Sequence, residues 1–165
     1  MRIIAIDPGY ERMGVAVLDR ERGGKHVLIM SDCWKTSAKI PFHKRLLELG
    51  NRLEKLILEH KPEAIAIEKL YFETNQKTAM NVAEIRGMLI YVAGRAGLLI
   101  FEYTPMEIKV AVAGYGKATK RDIAKMIPLL ISMQKTPKHD DEYDAIAVGL
   151  THLARGGFRI RNHEL

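Results

Sequence analysis

The chain has 165 residues, 47% hydrophobic and 28% charged, with a formal net charge of +6. That length suits one domain with a proper core, and the single cysteine, Cys33, excludes both an intrachain disulfide and a thiolate zinc cage within one chain. No apolar run approaches the roughly 20 residues needed to span a bilayer, the N-terminus opens without a signal-peptide core, and the basic balance favours a polyanionic partner, so a cytoplasmic protein is expected.

Taken in order, Ile3–Ile6 and Val15–Leu18 are short Ile- and Val-rich runs flanking a polar link with Pro8, Gly9 and Gly14, which predicts two antiparallel strands joined by a turn. Asp7 stands where the first run stops, so its carboxylate emerges at a strand end. Alone, it could hold a metal or merely cap the turn. Gly23-Gly24 is a turn signal, and His26 to Ser31 reads as a third strand of a meander. Between Pro41 and His60 the apolar residues Phe42, Leu46, Leu49, Leu53, Leu56 and Ile57 recur by threes and fours, the stripe of an amphipathic helix that Pro62 closes. Ala64–Ile67 is a fourth strand, ending at Glu68. A strand-helix-strand crossover makes that strand parallel to one already in the sheet. If it lies beside the first, Asp7 and Glu68 emerge side by side, with neighbouring strands about 5 Å apart.

Lys69 to Gln76 is a polar loop carrying Tyr71 and Phe72, with Asn75 as a candidate helix cap. Thr78 to Arg95 is apolar nearly all round, a helix expected in the core or in a dimer interface. Leu98–Tyr103 is a fifth strand. Thr104-Pro105-Met106-Glu107 is a capping box with Pro at the first helical position, and Thr119 with Asp122 marks another cap after the Gly114-Tyr115-Gly116 break. The last helix begins near Asp140 or Asp141 and runs through Ala145–Val148 to Leu153, before Gly156-Gly157 and a basic tail with Arg159 and Arg161. This order implies an α/β fold, a mixed five-stranded sheet with helices on both faces.

Asp141 and Asp144, three residues apart at a helix start, share one helical face. Acids are common there because the helix dipole favours them, but Asp144 directly precedes the apolar Ala145–Val148 and so points towards the sheet. Asp7, Glu68, Asp141 and Asp144 together would repel one another and suit a hard divalent cation bound through oxygen alone, Mg²⁺ or Mn²⁺. Two such ions about 4 Å apart can drive phosphodiester hydrolysis. His139 reads as a surface histidine, Lys117 as a solvated loop lysine, and the spacing to Asp144 prefers Asp141 over Asp140.

The set Asp7-Pro8-Gly9, Glu68 with Tyr71-Phe72, Gly114-x-Gly116 with Lys120, and Asp141-x-x-Asp144-Ala-Ile-Ala resembles the RuvC family of Holliday-junction resolvases from Ile3 to about Leu153. The resemblance implies a ribonuclease-H-like fold, the four acids as ligands of two Mg²⁺ (Mn²⁺ a substitute), and Lys109 and Lys120 near the DNA backbone. It also implies Tyr71, and less directly Phe72, against an unpaired base. The implied partners are four-way junction DNA, a second copy of the chain in a homodimer, and a branch-migration helicase complex of the RuvA and RuvB type. The opening motif is shared with YqgF-type nucleases and, more loosely, with actin-like ATPases, whose second nucleotide-binding half 165 residues cannot supply. The Lys109–Lys120 segment argues against the YqgF type. A non-catalytic DNA-binding dimer would require the four acids to be coincidental.

Overall fold

The computed structural model describes residues 1–20, 24, 26–69 and 76–155, with backbone alone at 76 and 77. Tyr71, Phe72, Asn75, Gly156, Gly157, Arg159 and Arg161 lie outside the described residues. The elements are β1 (Arg2–Asp7), β2 (Arg12–Arg20), β3 (His26–Lys35), α1 (Phe42–His60), β4 (Ala64–Glu68), α2 (Gln76–Arg95), β5 (Leu99–Tyr103), α3 (Pro105–Ala113), α4 (Lys120–Leu130), β6 (Ser132–Met133) and α5 (Asp140–Ala154).

The strands form one six-stranded sheet in the order β5-β4-β1-β2-β3-β6. β1, β2 and β3 are an antiparallel meander, while β4 lies parallel to β1, β5 to β4, and β6 to β3. The sheet is mixed and helix-covered as expected, with one strand more than the five expected. The extra strand is Ser132–Met133, whose two residues carry no period-2 pattern and pair only with Val27 and Leu28. β3 also continues past Ser31 to Lys35, where the adjacent buried Cys33 and Trp34 are flanked by the exposed Asp32 and Lys35 and so break the period-2 pattern.

Side-chain alternation divides the sheet into two faces. Ile4, Ile6, Val15, Val17, Ile65 and Ile67 pack against α1 and α2, while Ile3, Ala5, Ala16, Leu18, Ala64 and Ala66 pack against α3, α4 and α5. The second face is unusually small at its centre, so α5 can lie close to the strands. Gly149 completes that fit: a Cβ there would come 2.5 Å from Leu18 Cδ1 and 3.1 Å from Ala5 Cβ.

α2 departs from the apolar-all-round expectation. Val82, Ile85, Leu89 and Val92 are buried, but Met80, Glu84, Gly87, Tyr91 and Gly94 form an exposed stripe spaced by threes and fours. α1 buries its predicted Leu49, Leu53 and Leu56, together with a residue that the pattern does not mark, Arg45, which is 1% exposed. Its guanidinium donates to the Tyr10 carbonyl and to Thr36 Oγ1 (3.0 Å) and lies 4.2 Å from the Tyr10 ring centroid. These neutral partners tie the turn after Asp7 to α1. A buried cation is costly unless its hydrogen-bond donors are met, and here they fix that turn in return.

Candidate active site

The pairing of β1 with β4 runs Ile3–Ala64 to Ile6–Ile67, so the next residues, Asp7 and Glu68, leave the sheet side by side as the sequence predicts. Both continue the face that carries Ala5 and Ala66, the face beneath α5. On the other side Asp7 is paired with Gly14 of β2. Gly14 is where α5 begins its approach: a Cβ there would meet the Asp141 carbonyl oxygen at 1.9 Å. One glycine therefore seats the first turn of α5 beside Asp7, and Asp144, one turn on, is brought over the strand ends. A cleft of about 440 Å³ opens there, lined by Asp7, Glu68, Asp144, Lys69, Lys109, Lys120 and Thr119 with neighbouring apolar side chains.

The walls follow from local chemistry. α3 starts at a complete capping box, with Glu107 N–H donating to Thr104 Oγ1 (3.2 Å) and Thr104 N–H donating to Glu107 Oε2 (2.8 Å). α4 starts at a second box of Thr119 and Asp122, so both predicted caps are present. The two caps set the helix starts that carry Lys109 and Lys120 into the cleft. Lys120 Nζ lies 2.6 Å from Asp144 Oδ2.

Asp7 and Glu68 stand at adjacent strand ends, close enough for each to act on the other's ionisation. Burial pushes Asp7 well above the ordinary aspartate range, and the charges of Glu68 and Asp144 push the same way. Burial also raises Glu68, against the pull of the neighbouring Asp7 carboxyl and of Lys120 and Lys109. The Lys120 ammonium is held up by its hydrogen bond to Asp144, against burial.

Asp141 stands apart from these three. It does not line the cleft; its Oδ2 takes an ion pair from Arg12 (2.5 Å) and lies 3.5 Å from Cys33 Sγ, the thiol donating. Burial raises the Cys33 thiol, keeping it a donor. Asp140 is exposed, and its charge reaches Lys120. His139 precedes α5 with Nε2 3.4 Å from Lys35 Nζ, and Lys117 is exposed outside the cleft. Arg12 and Cys33 escaped the sequence reading. The available signal was the strand register: placing Gly14 opposite Asp7 sends Arg12 towards the start of α5.

The donors are all carboxylate oxygens, which suits a hard divalent cation. Two of the acids already have a substitute for one: Lys120 for Asp144 and Arg12 for Asp141. Among the described residues no three acid, histidine or cysteine side chains are gathered as a ready metal cage. The residues thus fit a divalent cation by chemistry and charge, and two of the acids would exchange a protein cation for it.

The family profile described as "Crossover junction endodeoxyribonuclease RuvC" matches residues 3–152. A crossover junction endodeoxyribonuclease RuvC of Desulfitobacterium hafniense is 40% identical over 152 residues, covering 92% of each chain. The structure of Thermus thermophilus RuvC aligns with a TM-score of 0.87 at 30% identity, covering 95% of this chain and 96% of the other. The same protein in complex with Holliday junction substrate aligns equally well, with a TM-score of 0.87 at 29% identity over 94% of each chain. The overlay carries the ribonuclease-H-like sheet, the profile spans β1 to α5, and this chain belongs to the RuvC family of crossover junction endodeoxyribonucleases.

Proposed function

We propose that this protein is a structure-selective endonuclease that resolves four-way DNA junctions by paired, symmetrical nicks, using divalent cations held by Asp7, Glu68, Asp141 and Asp144. The observation that carries the reading is the convergence of β1, β4 and α5 on one cleft where acids and lysines face each other. Family membership weighs for this reading over a YqgF-type nuclease. The neighbouring Asp7 and Glu68, both raised by burial, weigh against a merely DNA-binding dimer, for which such acids would be a burden. The cations, Mg²⁺ with Mn²⁺ as a substitute, would supply activation of a water and stabilisation of the leaving oxygen. The chain's own acids would orient them, and Lys109 and Lys120 would hold the scissile-strand phosphates. Tyr71, with Phe72 beside it, would stack on a base opened at the crossover, by resemblance to the family. Incision of a mobile four-way junction, with nick positions mapped in both strand pairs, tests the reading. Symmetrical nicks that need a divalent cation and are absent on linear duplex support it, and equal cutting of duplex rejects it.

Resolution needs two opposed cuts, which a twofold homodimer supplies with two symmetric sites. The exposed α2 stripe of Met80, Gly87, Tyr91 and Gly94 suits such an interface: two glycines permit close approach, and two large apolar side chains gain burial. A dimer is expected in solution, and a single monomeric species by light scattering at micromolar concentration would contradict it. A branch-migration helicase complex of the RuvA and RuvB type, a cytoplasmic location and a single domain over the whole chain belong to the same reading.

The lysines give a separate expectation. Lys120→Ala and Lys109→Ala should each weaken junction binding and slow incision. For each phosphate that no longer meets a lysine, the slope of log K against log salt should become shallower by about 0.9. Slopes unchanged between low and high salt would make both lysines bystanders.

A further inference from the structure

We propose that Arg12 is a built-in competitor for the cation site: it holds the Asp141 carboxylate away from the cleft and so sets how tightly the site takes a divalent ion. The inference rests on the reading of the four acids as metal ligands. Asp141 and Asp144 share a face of α5, yet only Asp144 lines the cleft with Asp7 and Glu68. The backbone does not explain the difference, because the Asp141 carbonyl is seated against Gly14 and the first turn of α5 is fixed there. What differs is the side-chain direction. An aspartate has a few staggered rotamers, and Asp141 occupies one that faces the start of β2. There Arg12 pairs with Oδ2 at 2.5 Å while the Cys33 thiol donates to the same oxygen at 3.5 Å.

For Asp141 to serve a metal beside Asp144 it must leave both donors. The ion pair is half-exposed at Arg12 and partly buried at Asp141, so it is a modest hold that a divalent charge can overcome. The arrangement keeps the acidic site compensated when no cation is bound. On cation binding it would free a guanidinium next to a site that takes phosphates, a change an inert surface pair would not make.

The test titrates Mn²⁺ into the DNA-free full-length protein, reading bound ion by calorimetry and by the electron paramagnetic resonance of free Mn²⁺. Arg12→Gln should lower the Mn²⁺ dissociation constant roughly two- to fivefold, the equilibrium equivalent of an exposed ion pair. Arg12→Lys should stay near wild type, and Arg12→Gln should change nothing when added to Asp141→Asn. Unchanged or weaker Mn²⁺ binding by Arg12→Gln overturns the proposal, as does an equal gain in the Asp141→Asn background. If Arg12→Gln melts early, Arg12→Met is measured by the same criteria, since Arg12 is half-exposed and its stem packs little. Asp7→Asn separates the failures: if it binds Mn²⁺ like wild type, the metal reading itself falls, whereas lost binding there with an inert Arg12→Gln rejects only the role of Arg12.

Discussion

Asp7→Asn is expected to reduce junction incision to background while sparing junction binding, and Glu68→Gln and Asp144→Asn should do the same. Binding draws on lysines and other cations around the cleft, whereas these three carboxylates contribute oxygen ligands that an amide replaces poorly. Wild-type incision by any one of the three would remove that residue from the site. Asp7→Asn should also raise stability without metal. The Asp7 pKa is raised in the fold by burial and by Glu68 and Asp144. Its contribution to stability is therefore complete below the ordinary aspartate pKa and is lost as pH rises through the raised folded value. Asparagine has no such loss, so with chelator at neutral pH Asp7→Asn should melt a few degrees above wild type. Added Mn²⁺ should raise the melting temperature of wild type and leave Asp7→Asn nearly unmoved. A variant that melts below wild type in chelator would show that Asp7 bears no such burden.

Gly14→Ala should be among the most damaging changes outside the acids. Its Cβ would sit 1.9 Å from the Asp141 carbonyl oxygen and 3.2 Å from Ala145 Cβ. The first obstacle is backbone, so no side chain can rotate away, and β2 and α5 have to separate. Overpacking costs about 1–3 kcal/mol and more where backbone must move, so a fall in melting temperature of roughly 6–12 °C is expected for a chain of this size. Incision should fall as well, because the displaced turn carries Asp141 and Asp144. A melting temperature within a degree of wild type would show that the helix gives way easily.

The parts of the fold that were legible in the sequence are those where one periodicity dominates. Ile3–Ile6 and Ala64–Ile67 are short buried runs that the crossover rule made parallel; that Asp7 and Glu68 meet also needs the two strands to be neighbours, which the sheet supplies. Thr104–Glu107 and Thr119–Asp122 were legible because a capping box is a local chemical pattern. The missed features depend on tertiary register. Arg45 sits in an amphipathic helix where an arginine reads as solvent-facing, and the distant acceptors at Tyr10 and Thr36 make its burial favourable. Ser132–Met133 is a strand because β3 offers it an edge, not through any propensity of its own. The Arg12–Asp141 pair joins residues 129 positions apart, and depends on how closely Gly14 lets α5 approach.

The small-residue floor under α5 also decides which part of the molecule can move. From Ala145 to Leu153 the helix is buried without interruption, and it rests on Ala5, Ala16 and Ala66 with almost no slack. Amide protons in such a segment should exchange with solvent only when the whole molecule opens, so α5 and β1 are expected in the slowest-exchanging unit of the chain. The acids are thereby anchored to the part of the protein least able to breathe. Any adjustment to a bound substrate would then fall to the opposite wall, where Lys109 and Lys120 ride on two short helices that touch solvent along much of their length.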